Sequence, residues 1–307
     1  MNTGLRIHEY GGLGMVVVCG RSVGRLSNGI LTPTNTLDPL TLLVNTNAMT
    51  LQILQLSDFH LLKNSVDELR GVPTAVSLAD VLAEVRARYS AADLFVFTGD
   101  IAAYGDVEAY QQTRELFADL LPRCVMIPGN HDNADLMRQV LPERIAGSSG
   151  PVTFTRDVGG WRLIGLDSHV AGAVHGQLPG EQLAWLTDEL SEHSNQPTLL
   201  FMHHPPISVV STWLDRIMLR NANELAEVLY AATHVRGVFC GHVHQEFSGA
   251  FGAIPVHTAP ATAIQFAPRT EELQFDNVPP GFRVIELDDD EFYTHIVRLP
   301  ELRYPAM

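Results

Sequence analysis

An α/β fold with two packed sheets and helices outside both is predicted for this 307-residue chain by three observations. Hydrophobic strands alternate with amphipathic helices from Leu51 to Asp132, the pattern that builds a sheet with right-handed crossovers. The second half then turns to a hairpin and short strands, as a second sheet packed on the first would. Finally, strand after strand ends in a polar cluster of the same kind.

The elements follow in order. "LQILQLSD" from Leu51 is a buried strand ending in polar residues. "TAVSLADVLAEVRARY" carries apolar residues three and four apart and predicts a helix. "DLFVFTGD" is a strand, "VEAYQQTRELFADLL" a helix and "CVMIPGNHD" a third strand, with Gly129 expected to let its end bend sharply. "VTFTRDVGGWRLIGLDS" predicts a hairpin, "PGEQLAWLTDELSEH" a helix, "TLLFMHHP" a strand, "NANELAEVLYAAT" a helix and "VRGVFCGHVH" a strand. The acidic "ELDDDE" reads as a hairpin turn, since it lacks the ligand spacing of a calcium loop. Residues 1–49 hold Gly, Asn, Thr and Pro clusters such as "LSNGILTPTNTLDP" without a period and predict a weakly ordered extension. The folded domain is expected over 50–300, with a tail at 301–307.

Composition bounds the function. A 46% hydrophobic chain can bury a sizeable core, and no apolar run reaches the length of a membrane span. "GLGMVVVCG" is too short for one and lacks the basic flank of a signal peptide. A net charge of −15 argues against a nucleic-acid polymer as partner, although metal cations can supply a local positive field for a small phosphodiester. Of three cysteines, Cys124 and Cys240 fall in strands, which predicts free thiols and a cytoplasmic location.

The polar clusters are Asp58-Phe-His60, Gly99-Asp100, Gly129-Asn-His-Asp132, His203-His204 and Gly241-His-Val-His244. Any one could be a turn. Together they stand where α/β folds place their sites, at strand ends on one edge. Aspartate, asparagine and imidazole donors without thiolate suit Mn, Fe or Zn. There are too many for one four-coordinate ion and about enough for two ions sharing a carboxylate. Asp58 and His60 are two apart, so on an extended segment they would point the same way and chelate one ion. His242 and His244 share that spacing, but a strand exiting into a loop can turn them toward different ions. By the same alternation, His204 should face away from His203 and serve as a hydrogen-bonding neighbour.

In this order the motifs resemble the calcineurin-like binuclear metallophosphoesterases, from Leu51 to near the end of the chain. The resemblance implies a four-layer α/β/β/α sandwich of the metallo-dependent phosphatase type, with two metal ions per chain. Asp58, His60 and His244 would hold the first, Asn130, His203 and His242 the second, and Asp100 would bridge them. Two such ions activate a water for in-line attack on a phosphodiester. His131 would then assist the leaving oxygen, with Asp132 orienting it. "LDSHVAGAVHGQLPGEQLAWL", "TWLDRIMLRNANEL", "CGHVHQE", "TAPATAIQFAP" and "PPGFRVIEL" resemble bacterial class III 3′,5′-cyclic AMP phosphodiesterases, which implies cyclic AMP as substrate and 5′-AMP as product. His175 would approach the phosphate, and Trp213, Arg220 and Asn221 would line a nucleotide pocket. The alternatives are a glycerophosphodiesterase or broad small-diester hydrolase with the same chemistry, or an inactive interaction scaffold. The implied partner is a small phosphodiester, with no membrane or nucleic-acid polymer; a homodimer is left open.

Overall fold

The computed structural model describes residues 51–145 and 147–307; the expected extension over 1–49, Cys19 included, lies outside them. In chain order the elements are β1 (Leu51–Leu56), α1 (Thr74–Arg88), β2 (Leu94–Thr98), α2 (Val107–Leu116), β3 (Cys124–Ile127) and α3 (Ala134–Val140). Then come β4 (Phe154–Val158), β5 (Trp161–Leu166), α4 (Gly180–Glu192), β6 (Thr198–Met202), α5 (Thr212–Asp215) and α6 (Ala222–Tyr230). The last are β7 (Val235–Cys240), β8 (Phe247–Phe251), β9 (Ile254–Thr258), β10 (Gly281–Asp288) and β11 (Glu291–Arg298).

They form two mixed sheets, ordered β11-β10-β1-β2-β3 and β4-β5-β6-β7-β9-β8. Strand alternation sorts the side chains into three apolar layers. Ile53, Leu94, Val96, Leu163, Leu199, Phe201 and Phe239 meet between the sheets. Their neighbours Leu54, Phe95 and Phe97 face outward into the layer with α1 and α2 residues such as Leu82 and Tyr110. On the other side Ile164, Leu200 and Val238 pack beneath Leu186 of α4 and Leu225 of α6. Period-two strands buried on both faces between amphipathic helices thus give the expected α/β/β/α layering. Cys124 and Cys240 are buried free thiols in opposite outer layers.

The sequence reading left out α3 and α5. Both are short, and α3 is announced only by its cap: Asn133 Oδ1 accepts from Asp135 N and Leu136 N, both at 3.1 Å. The "ELDDDE" turn joins β10 to β11 as expected, with Asp289 at φ 47°.

What positions the site is direction. β1, β2 and β3 run parallel in one sheet, and β6 and β7 run parallel in the other. All five C-terminal ends carry the polar clusters, and the hydrogen bonds described next bring them to one edge of the sandwich.

Candidate metal centre and substrate cleft

Each strand stops before its polar residues. β1 ends at Leu56, and Asp58 and His60 follow it with φ of 57° and 47°. Asp100 (51°), His242 (71°) and His244 (48°) are left-handed as well. Five of the seven expected ligands therefore adopt a backbone that costs a non-glycine residue about 1–3 kcal/mol and recurs at functional sites. This corrects the argument from extended spacing: Asp58 and His60 share a cluster because the chain kinks at both.

Backbone hydrogen bonds stitch the kinked loops together. Asp58 N donates to Gly99 O at 3.0 Å, His60 N to Asp100 O at 2.9 Å and Gly241 N to His203 O at 3.1 Å. Gly129 contributes closeness and not a left-handed bend, since its φ is ordinary. A Cβ there would collide with Asp100 Oδ1 and stand 2.7 Å from His203 Cε1. Gly99 needs both freedoms: its φ is +93°, and a Cβ would come within 2.6 Å of His203 Nδ1.

The ligating atoms fall into two groups, each within 4.8 Å: Asp58, His60, Asp100 and His244 in one, His203, His204 and His242 in the other. Asp100 Oδ2 lies 3.6 Å from His60 Nε2 and 3.4 Å from His203 Nε2, so it reaches both. His244 Nε2 is 3.3 Å from Asp58 Oδ1, and Asn130 Oδ1 is 3.2 Å from His203 Nε2. His242 and His244 do part toward different groups.

Tautomers follow from carbonyl oxygens, which only accept. His203 Nδ1 donates to Thr98 O at 2.7 Å and His244 Nδ1 to Ile264 O at 2.8 Å. In the neutral imidazoles, both Nε2 lone pairs then face the cluster, the arrangement that orients histidines for a cation. Burial pushes His60 and His242 down to about 3, which keeps them neutral. Burial alone would raise Asp100, but the imidazole of His203 reverses this and holds it well below the carboxylate range. Burial likewise opposes a charge on His203, yet Asp100 wins and lifts it to about 9.

Without a cation this packing is unsatisfied. His60 Nδ1 and His242 Nε2 are buried without a hydrogen-bond partner among the described residues, and His60 Nε2 faces His244 Nε2 at 3.0 Å. Two ionised carboxylates beside the neutral imidazoles of His60 and His242 fit divalent or trivalent ions, which would take the place of the Nε2 proton that Asp100 favours on His203.

Other expectations change. The His204 ring does not turn away; its centroid is 4.6 Å from that of His242. Both its nitrogens are engaged, with Ser168 Oγ at 2.8 Å and Val174 O at 3.1 Å. It is therefore a hydrogen-bonding neighbour, as expected, but on the same side as His203. Asp132 does not hold the His131 ring. Its carboxylate accepts from Ile101 N, Ala102 N, Gly129 N and Tyr110 OH, while His131 Nδ1 donates to Ala103 O at 2.8 Å. Burial, with the charge of Asp100, raises Asp132 to about 6.

A cavity of about 540 Å³ opens over the cluster, lined by His60, Asp100, Asn130, His131, His242 and His244 on its polar side. Trp213 lines it as expected. His175, Arg220 and Asn221 do not. Asn221 is buried and braces Leu178, accepting from its N at 3.0 Å and donating to its O at 2.8 Å. Arg220 is exposed, with its backbone N bonded to Gly176 O in the loop between β5 and α4, where half-buried His175 precedes that glycine. The sequence reading missed Glu68, Arg70, Phe266 and Phe275 as lining residues. They lie in loops that no periodicity or ligand spacing marks. His244 itself stacks on Phe266, with centroids 4.1 Å apart and planes 8° from parallel.

Two sandwiched sheets carrying clustered aspartate, asparagine and histidine at one edge define a metallophosphoesterase architecture, and the chain belongs to the calcineurin-like phosphoesterase family, whose model matches residues 51–246. Within that family it is similar to a curated 3′,5′-cyclic adenosine monophosphate phosphodiesterase of Escherichia coli K12, 36% identical over 254 residues, or 82% of this chain and 91% of the relative. A 3′,5′-cyclic-nucleotide phosphodiesterase of Nostoc is 34% identical over 81% of this chain and 93% of its own. Among solved structures, a dimetal phosphatase from Danio rerio shares the fold, with a TM-score of 0.56 at 15% identity, covering 84% of this chain and 99% of that one.

Proposed function

We propose that this chain is a metal-dependent phosphodiesterase that hydrolyses 3′,5′-cyclic AMP to 5′-AMP. The observation that carries the reading is Asp100, whose Oδ2 stands between His60 Nε2 and His203 Nε2, where a carboxylate shared by two ions would stand. The substrate is supported by relatives of about a third identity over most of the chain that are named for this reaction.

On this reading Asp58, His60 and His244 would hold one cation, Asn130, His203 and His242 the other, with Asp100 available to both. Fe, Mn or Zn suits the donor set. Bound, the ions supply an activated water and neutralise charge on the phosphoryl oxygens. The remaining work falls to side chains. His131 Nδ1 is committed to Ala103 O, so the proton passed to the departing 3′ oxygen would come from Nε2 of the imidazolium form, which leaves the neutral Nδ1–H ring behind. Such general-acid help is worth roughly 10²–10⁴ in rate. The backbone N–H of His131 donates to Asp100 Oδ1 at 2.9 Å, which ties the proton donor to the shared carboxylate. The apolar side of the cavity, with Trp213, Ile217 and Phe275, would take the nucleoside. A cytoplasmic setting suits the free thiols of Cys124 and Cys240.

The test is a substrate panel with the Mn²⁺-loaded chain: 3′,5′-cyclic AMP, 2′,3′-cyclic AMP, glycerophosphocholine and a phosphomonoester. Turnover of 3′,5′-cyclic AMP, lost in Asn130→Ala, is expected. Activity confined to glycerophosphocholine would reject the substrate and keep the chemistry. No diester turnover by a metal-loaded sample would reject both.

A further inference from the structure

The cavity carries two charges that the metal chemistry does not use. Glu68 and Arg70 both line it, and they come from the loop between β1 and α1, on its far side from the Asp58-Phe-His60 motif in sequence. They are two residues apart, opposite in sign and exposed at the cavity wall, and among the described residues neither side chain is in an ion pair or a hydrogen bond. The backbone that presents them is tightly held. Leu69 and Val72 close a tight turn through reciprocal hydrogen bonds of 2.9 and 3.0 Å, with Arg70 at φ 54° and Gly71 at 78° between them. A left-handed arginine costs energy that the surrounding structure has to offset. Here the turn is held from behind: Met307 N donates to Arg70 O at 3.0 Å, and Tyr304 and Ala306 pack on the cluster of Val72, Ala263 and Ile264. Arg303 fastens the same segment to Asp80 on α1 at 2.8 Å.

The geometry points to Glu68 and Arg70 as the pair that reads the base of the cyclic nucleotide, favouring adenine over guanine. The inference rests on the function proposed above and adds the residues that set its specificity. The cyclic phosphate is fixed at the ligand cluster, so the part of the substrate that reaches the Leu69–Val72 turn is the base. Beside the turn, Leu273 and Phe275 give an apolar surface for its flat face. A carboxylate only accepts and a guanidinium only donates. Adenine offers an amine donor at N6 beside an acceptor at N7, which matches the pair, whereas guanine offers two acceptors at O6 and N7. Facing that edge, Glu68 meets the amine of adenine but repels the O6 of guanine.

The test compares kcat/KM of the 307-residue Mn²⁺-loaded chain on 3′,5′-cyclic AMP, 3′,5′-cyclic GMP and bis(p-nitrophenyl) phosphate, a diester without a base edge. Glu68→Gln is nearly isosteric. Arg70→Gly removes the guanidinium while keeping a residue that accepts positive φ, so the turn survives. In Glu68→Gln the cyclic AMP to cyclic GMP ratio should fall about tenfold, and in Arg70→Gly the ratio of cyclic AMP to the synthetic diester should fall by about as much, mainly through KM. A wild type that prefers cyclic AMP, with variants that keep both wild-type ratios, overturns this inference alone. A wild type active on the synthetic diester and inert to both cyclic nucleotides overturns the proposed function and this inference with it.

Discussion

Replacing Asp132 by asparagine separates a brace of the loops from a group that orients His131. The carboxylate is 6% exposed and meets four donors: Ala102 N at 3.0 Å and Tyr110 OH at 3.1 Å on Oδ1, Gly129 N at 2.9 Å and Ile101 N at 3.2 Å on Oδ2. An amide has only one acceptor oxygen. With that oxygen at Oδ2, its NH₂ faces Ala102 N and the Tyr110 hydroxyl, which can accept instead. One buried backbone donor is then stranded, at a cost of about 1–3 kcal/mol. The reverse orientation strands two, so the first is the one adopted. For a folded unit of this size, a loss of about 2 kcal/mol lowers Tm by roughly 4–8 °C. The assay is thermal unfolding of Asp132→Asn beside wild type, each with and without Mn²⁺, together with kcat. A clear fall in Tm is expected, with an activity loss that follows displacement of the Asp100 and Asn130 loops. A variant with wild-type Tm that loses as much rate as His131→Ala would refute this reasoning and restore Asp132 as the residue that orients His131.

Three further outcomes follow from the same geometry. His131→Ala should lower kcat by roughly 10²–10⁴ while metal content, read by elemental analysis, stays at two ions per chain. His203→Ala should reduce that content, whereas His204→Gln should retain it, because both nitrogens of His204 already serve Ser168 and Val174; equal losses would make His204 a ligand. His257 is pushed down to about 4 by burial and the nearby Arg283, from 6.5 when unfolded. Its neutral form is thus favoured by folding, and its contribution is complete above pH 6.5 and lost as pH falls toward 4. Urea unfolding across that window should show His257→Gln losing about 2 kcal/mol less than wild type, and parallel curves would exclude the effect.

Much of this was legible in the sequence because strands and helices write their burial as periods. The alternation Ile53/Leu54 and Leu199/Leu200 sends neighbours into different apolar layers, so both sheets could be read before any contact was known. The ligand motifs were legible for another reason: chemistry restricts which residue types can stand at those strand ends. What could not be read was conformation outside the strands. Nothing in Asp58-Phe-His60 announces two left-handed residues, and the extended geometry assumed for them was wrong although their grouping was right. Asp132 was misassigned because adjacency to His131 in sequence is no guide to where a carboxylate points in a loop. Asn221 was expected in the cleft beside Trp213 and Arg220, but its side chain spans 43 residues of sequence to brace Leu178. The cleft walls at Glu68, Arg70 and Phe275 come from loops brought together by tertiary packing, which no local pattern records.

The most direct test of the account is a metal titration of the metal-free chain with Mn²⁺, following 5′-AMP released from 3′,5′-cyclic AMP. Asp100 between two groups of ligands predicts that 5′-AMP formation reaches its plateau as the second equivalent binds, and that Asp100→Ala removes this dependence with the activity. Full activity at one equivalent, or no 5′-AMP from a chain carrying two ions, would contradict it.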